Sequence, residues 1–263
     1  MRVGLIGNGA IGRLLGNLAR EHLPEVRIVA VLERGAPDEG APTDAVSVDT
    51  LAGLLERGPD LIVECAGHAA LRALGPSVLA AGVDLLVASV GALADAALET
   101  VLRKAAAEGN AKLRIPSGAL GGLDVLSAAR LAGLRSVSYE GRKAPDAWRG
   151  TPAEEMVELT GLSQPTVFFQ GSAREAARCF PQNANVAAAV ALAGLGFDET
   201  QVSLCADPGT KGNRHRILAE GAFGEIDARV NGMPLPDNPK TSMLAPHSLL
   251  RSLANLSQSV VVA

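Results

Sequence analysis

The chain has 263 residues, of which 48% are hydrophobic and 20% charged, with a net charge of −4. A chain of this length buries roughly 70% of its extended surface on folding, so no disulfide or metal staple is required, and no run of about 18 apolar residues marks a membrane span. The acidic balance and the 3% aromatic content exclude the basic stripe and the stacking platforms of a nucleic-acid binder. Cys65, Cys179 and Cys205 form no CxxC pair. They read as small buried hydrophobes in a reducing compartment, not as a disulfide framework or thiolate metal site. Met1–Ile6 carries no basic segment ahead of a hydrophobic one, so the expected location is the cytoplasm.

The first half alternates strand and helix patterns. Arg2–Gly7 is an apolar run, Ala10–Arg20 has apolar residues at helical spacing, and Arg27–Leu32 is rich in β-branched residues. Asp49–Glu56 predicts a short helix, and Leu61–Cys65, Asp84–Ala88 and Lys112–Ile115 predict three more strands between Ala- and Leu-rich helices. Repeated β-α-β units with apolar strands imply a doubly wound parallel sheet of Rossmann type. After Pro116 the pattern changes. Gly121–Ala132 reads as helix, Ser136–Glu140 as an antiparallel strand, Pro145–Pro165 as loop, and Ala173–Cys179 and Asn185–Ala193 as helices. Gln201–Ala206, Arg214–Glu220 and Gly224–Val230 predict an antiparallel meander. Thr241–Ser257 is helical again, with Pro246 delaying the start. The expected fold class is α/β: a dinucleotide-binding domain over 1–118, completed by a C-terminal helix within 241–263, plus an α+β domain with a mostly antiparallel sheet over 119–240.

Gly7-Asn8-Gly9-Ala10-Ile11-Gly12 is a GxGxxG placed directly between the first strand and the first helix. Gly7 permits the tight turn, Gly9 lets backbone approach a pyrophosphate, and Gly12 lets helix pack on strand. Ala10 and Ile11 open the helix whose free N–H groups face the phosphates. Glu33 follows Gly12 by 21 residues, at the end of the second strand, where a carboxylate binds the adenine-ribose hydroxyls. Glu33 favours NAD, whereas Arg34 beside it would accommodate the extra phosphate of NADP. The cofactor expectation is therefore NAD or NADP.

Four histidines are present. His22 closes the first helix, where a cation complements the helix dipole, and His247 falls within the last helical pattern. His68 follows a strand end that borders the cofactor crevice in doubly wound sheets. His215, in Gly212-Asn213-Arg214-His215-Arg216-Ile217, opens a strand of the second domain and is a candidate general acid and base, because imidazole titrates near neutral pH. No His/Asp/Glu cluster at metal spacing and no GxSxG is visible in the sequence, so no metal is expected.

The segments GLIGNGAIG (4–12), PSGALGGLD (116–124), FPQNANVAAAVALAG (180–194), ADPGTKGNRHRI (206–217) and PDNPKTS (236–242) together resemble the L-aspartate dehydrogenase family, in order and over essentially the whole chain. The resemblance implies NAD(P)-dependent oxidation of L-aspartate to iminoaspartate, which hydrolyses to oxaloacetate and ammonia or feeds pyridine nucleotide biosynthesis. It implies His215 as the proton donor and Ala119 and Asn185 as cofactor contacts. The substrate's two carboxylates call for at least two cationic or polar partners. Lys240, Thr241 and Ser242, after the Pro236–Pro239 turn, are preferred over Arg142, Lys143, Lys211 and Arg214. Open alternatives are another two-domain dehydrogenase or reductase, related to homoserine dehydrogenase or dihydrodipicolinate reductase, and a non-catalytic NAD-sensing module. A homodimer formed through the second domain is expected, because a small meander leaves a sheet edge or face to cover.

Overall fold

The computed structural model describes residues 1–33, 45–181, 183–235 and 238–261, without the side chains of 238–240. The chain divides into two compact units, one of residues 1–116 with 245–263, the other of residues 117–244.

In the first unit, β1 (Arg2–Ile6) leads through the glycine-rich turn into α1 (Ala10–His22) and β2 (Arg27–Leu32). Then come β3 (Val46–Val48), α2 (Leu51–Leu55), β4 (Leu61–Glu64), α3 (His68–Ala80), β5 (Asp84–Val87), a 3-10 turn at Val90–Ala94, α4 (Ala96–Glu108) and β6 (Leu113–Arg114). Among the described residues the strands form one parallel sheet in the order β3-β2-β1-β4-β5-β6. Strand order reverses between β1 and β4, whose carboxyl ends carry Gly7–Gly12 and Glu64–Gly67; ligands bind at such switch points. All four residues of β4 are buried and only the first of β2 is exposed, as expected when helices cover both faces. One core packs Val3, Leu5, Val31 and Val63 against Leu15, Ala19 and Leu23 of α1, with Leu249 and Leu253 of the C-terminal helix.

In the second unit, α5 (Leu123–Ala132), β7 (Leu134–Lys143), a 3-10 turn at Pro145–Trp148 and α6 (Ala153–Met156) are followed by β8 (Thr166–Ser172), α7 (Ala173–Cys179) and α8 (Asn185–Ala193). Next are β9 (Gln201–Ala206), β10 (Asn213–Gly221), β11 (Gly224–Gly232), β12 (Pro234–Leu235) and β13 (Asn238–Ser242). The larger sheet runs β11-β10-β7-β9-β8. The sequence expectation of a meander from 201 to 230 is corrected here. Only β10 and β11 pair as a hairpin, while β9 lies parallel to β7 and antiparallel to β8. The long β7 inserts between β9 and β10 because its alternate residues Val137, Tyr139, Gly141 and Lys143 are all buried, so both its edges must be paired. The sequence reading contained no strand at 166–172; β8 has no buried residue and so lacks the apolar alternation of a strand. Its end is marked by a capping box, Ser172 with Glu175, which starts α7.

The last helix, α9, spans Leu244–Ser257. Pro246 lies in its first turn, where its missing N–H is not needed. Thr241 and Ser242, expected within helical text, instead belong to β13, which pairs with β12.

Candidate active site

The dinucleotide loop is built by close backbone packing. Gly7 adopts φ 98°, a left-handed conformation, and a Cβ on it would lie 2.8 Å from that of Ala66. A side chain on Gly12 would collide with the carbonyl of Gly7, whereas a Cβ on Gly9 would meet nothing within 4 Å. Gly9 therefore leaves the open approach that a pyrophosphate needs, at the N-cap of a helix whose first turn contains no acidic residue. The half-buried Cys65 thiol bonds the carbonyls of Ile6 and Gly7 at 3.4 and 3.3 Å, which ties β4 to the loop and gives this cysteine more than a packing role. Glu33 follows β2, and Ser47 Oγ donates to its Oε1 at 2.7 Å, which orients the carboxylate. Arg34 lies outside the described residues.

Two features of this loop region were missed by sequence reasoning. Asn8 is buried, and among the described residues neither its amide oxygen nor its nitrogen has a partner. A buried orphan amide between two fingerprint glycines fits a loop that completes its hydrogen bonds with a ligand. Glu64 is fully buried at the end of β4. Oε1 accepts from the backbone of Ala66 and Gly67, both at 2.8 Å, and from Ser89 Oγ at 3.0 Å, while Oε2 accepts from Ser89 N. Burial raises its pKa and these donors oppose the rise. Glu64 fixes the turn leading to His68, which starts α3 after Gly67 at φ 104°. A charged residue inside an otherwise apolar strand was the available signal.

The second unit holds the group capable of proton transfer. His215 on β10 faces Gly141 on β7, and Tyr139 lies two residues back on the same face. The Tyr139 hydroxyl is 2.8 Å from His215 Nδ1, the rings stack with centroids 6.0 Å apart, and His215 Nε2 is buried without a partner among the described residues. A hydroxyl can donate to one imidazole tautomer and accept from the other or from imidazolium, so this bond persists while Nε2 gains or loses a proton. Burial, reinforced by the charge of Lys143, pushes the His215 pKa down to about 4. The expectation of a near-neutral imidazole is corrected accordingly: desolvation favours the uncharged ring.

The candidate cations separate by face. Lys143 ends β7 on the buried side that carries Tyr139; its ammonium donates to Asn183 Oδ1 at 2.6 Å and sits 5.2 Å from the Trp148 ring centre. Burial pushes its pKa down to about 8. Arg142 points to the opposite side, bonded to Glu140 at 2.6 Å and to Asp207 at 3.3 Å, and Arg214 lies 3.7 Å from Asp207. Lys211 is exposed. The side chain of Lys240 lies outside the described residues. Ser242 is buried and its Oγ accepts from Leu244 N at 3.3 Å, while Thr241 is half-buried. Ala119 is buried ahead of α5, and Asn185 is the first residue of α8.

A glycine loop at the switch point of a 3-2-1-4-5-6 parallel sheet, with a separate unit presenting a buried histidine, defines a nicotinamide-dinucleotide-dependent oxidoreductase of two units. The family described as "Aspartate dehydrogenase, C-terminal" matches residues 124–256, and "Homoserine dehydrogenase, NAD binding domain" matches residues 3–116. An L-aspartate dehydrogenase of Ruegeria pomeroyi is 48% identical over 96% of this chain and 91% of its own length. One of Pseudomonas aeruginosa is 43% identical over the whole of both chains. The crystal structure of aspartate dehydrogenase from Thermotoga maritima superposes with a TM-score of 0.81 at 28% identity, covering 100% of this chain and 99% of that one. The chain belongs to the L-aspartate dehydrogenase family, NAD(P)-dependent oxidoreductases that act on a CH–NH2 group. Among the described residues no helix is long and apolar enough to cross a membrane.

Proposed function

We propose that the protein oxidises L-aspartate to iminoaspartate with NAD or NADP, the product hydrolysing to oxaloacetate and ammonia, and that His215 moves the proton. The observation that carries the reading is the buried Nε2 of His215, without a partner among the described residues, in a ring whose Nδ1 is held by Tyr139. A bound nicotinamide would supply the acceptor for the hydride leaving Cα. Gly7, Gly9, Ala10, Ile11 and Gly12 hold the pyrophosphate, Glu33 holds the adenine ribose, and Ala119 and Asn185 contact the cofactor. His215 accepts a proton as the amine becomes the imine and returns one as ammonia leaves. Its uncharged resting form suits the first step. A dicarboxylate beside the ring counters the charge of Lys143 and raises the imidazole pKa, readying it for the second. Lys240, Thr241 and Ser242 remain part of this reading as substrate contacts; the local bond of Ser242 to Leu244 leaves its hydroxyl proton available.

The test is a panel of amino acids with each cofactor. L-aspartate should be oxidised far faster than L-alanine or L-glutamate, because a pocket built for two carboxylates leaves a charge unpaired with alanine and misplaces glutamate. Comparable turnover of alanine contradicts it.

The reading extends to a cytoplasmic homodimer formed through the second unit. The nine-residue β11, which ends the larger sheet among the described residues, supports this, since an edge strand of that length invites pairing. Light scattering at micromolar concentration should give twice the chain mass; a monomer contradicts it.

A further inference from the structure

We propose that Lys143, together with the side-chain amide of Asn183, takes one carboxylate of the dicarboxylic substrate. The inference rests on the proposed aspartate chemistry and assigns the anion-binding residues within it. Four observations on this face of the sheet converge. Lys143 is only 9% exposed, yet among the described residues no carboxylate lies within 4.0 Å of its ammonium. Buried charges are ordinarily paired, so a buried ammonium lacking a counter-ion is a site prepared for an anion. Its hydrogen bond to Asn183 Oδ1 uses one of three N–H donors, leaving two. With Oδ1 accepting from the ammonium, the Asn183 amide keeps its NH2 group as a further donor on the same side chain. Finally, the Trp148 ring under Lys143 is itself anchored, through Nε1 to the carbonyl of Cys205 at 3.2 Å and by edge contacts with Phe168 and Phe180, so the cation is held on a rigid apolar floor.

The other cations of this sheet region are already satisfied. Arg142 is paired with Glu140 and Asp207, Arg214 faces Asp207, and Arg216 and Arg229 share Asp227. Lys143 lies on the buried face with Tyr139 and Gly141, the residues against which His215 packs, and its charge acts on that imidazole. At neutral pH burial leaves the amine mostly protonated, since its pKa falls only to about 8.

The experiment uses the dinucleotide-loaded protein and two readouts. Succinate, a dicarboxylate with no amine to oxidise, is titrated by calorimetry, and steady-state kcat and KM are measured with L-aspartate. Lys143→Met should weaken succinate binding and raise the aspartate KM by roughly 10–100-fold, the range for losing a charged hydrogen-bonded contact, with kcat changed less than about threefold. Asn183→Asp keeps the lysine but supplies an internal counter-ion, so it should weaken succinate in the same way; it serves equally if Lys143→Met does not fold. Unchanged succinate affinity in the folded variants overturns the proposal, as does a loss confined to kcat, which would make Lys143 a proton-transfer group. Failure of the wild type to bind succinate also overturns it. If the wild type binds succinate through Lys143 but does not oxidise aspartate, the anion site stands and the substrate reading fails.

Discussion

The hydroxyl of Tyr139 and Nδ1 of His215 meet at 2.8 Å directly over Gly141, where a Cβ would come within 2.8 Å of that same hydroxyl. The glycine is what lets a tyrosine on β7 reach a histidine on β10 across the diagonal of an antiparallel pair. Tyr139 is thus a positioning residue, acting on the reaction through the imidazole.

Tyr139→Phe keeps the stacked ring and removes the hydrogen bond. The expected result is a fall in kcat of about tenfold, the worth of one buried hydrogen bond, with KM within about threefold. Gly141→Ala, which deletes no polar group, should give a similar fall by displacing the hydroxyl. Steady-state kinetics of both variants check this, and unchanged kcat in the two together contradicts it.

Acid stability carries the signature of His215. Its folded pKa, about 4, lies below the unfolded value of about 6.5. Between these values the unfolded chain binds a proton that the folded state refuses, so stability falls as pH drops through that window and the loss is complete below it. The loss is about 3 kcal/mol at most. Urea unfolding of wild type and His215→Gln between pH 7 and 4 should show a stability difference that changes with pH in favour of the variant on acidification. A pH-independent difference contradicts the burial account.

Lys143 should be an expense to the fold. Its pKa is lowered to about 8 from an ordinary 10.5, so the folded state disfavours the ammonium, in full below pH 8 and progressively less between 8 and 10.5. Lys143→Met should therefore stabilise the protein at neutral pH by about 1–3 kcal/mol, as residues kept for function often permit. Denaturant midpoints measure it; marked destabilisation would show that Lys143 is structural.

Glu33→Ala should weaken NAD binding by about 10-fold or more, since a charged hydrogen bond to ribose is lost, and weaken NADP binding less. Ser47→Ala should move affinity in the same direction by a smaller factor, because Ser47 only orients the carboxylate. Fluorescence titration with both cofactors decides; unchanged preference in Glu33→Ala removes Glu33 from the cofactor site.

The sequence displayed the first unit more openly than the second, for a physical reason. Buried parallel strands such as Arg27–Leu32 and Leu61–Glu64 are near-continuous apolar runs, and Gly7 and Gly12 are required by close backbone contacts that a side chain would break. β8 has mixed exposure along its length and lacks that periodicity. The pairing of β9 with β7 is a long-range choice that local alternation does not encode. The same limit applies to the site. His215 stood out as a titratable residue at a strand start, but Tyr139 reads as an ordinary core aromatic until its register with β10 is known. Lys143 and Arg142 are adjacent in sequence; strand alternation sends one to the histidine's face and the other to a carboxylate network. Asn8 differs from neighbouring polar residues only in burial, whereas Glu64 stands out as the one charge in an apolar strand.

The most direct test of the central claim compares wild type with His215→Ala, following reduction of NAD and NADP by L-aspartate alongside cofactor binding by fluorescence titration. The account predicts that kcat falls by about 10²–10⁴-fold while cofactor affinity is unchanged, as for loss of a general acid and base. A variant that retains kcat and shows only a raised KM would make His215 a binding residue and contradict the account; His68, at the start of α3, would then be the histidine to test.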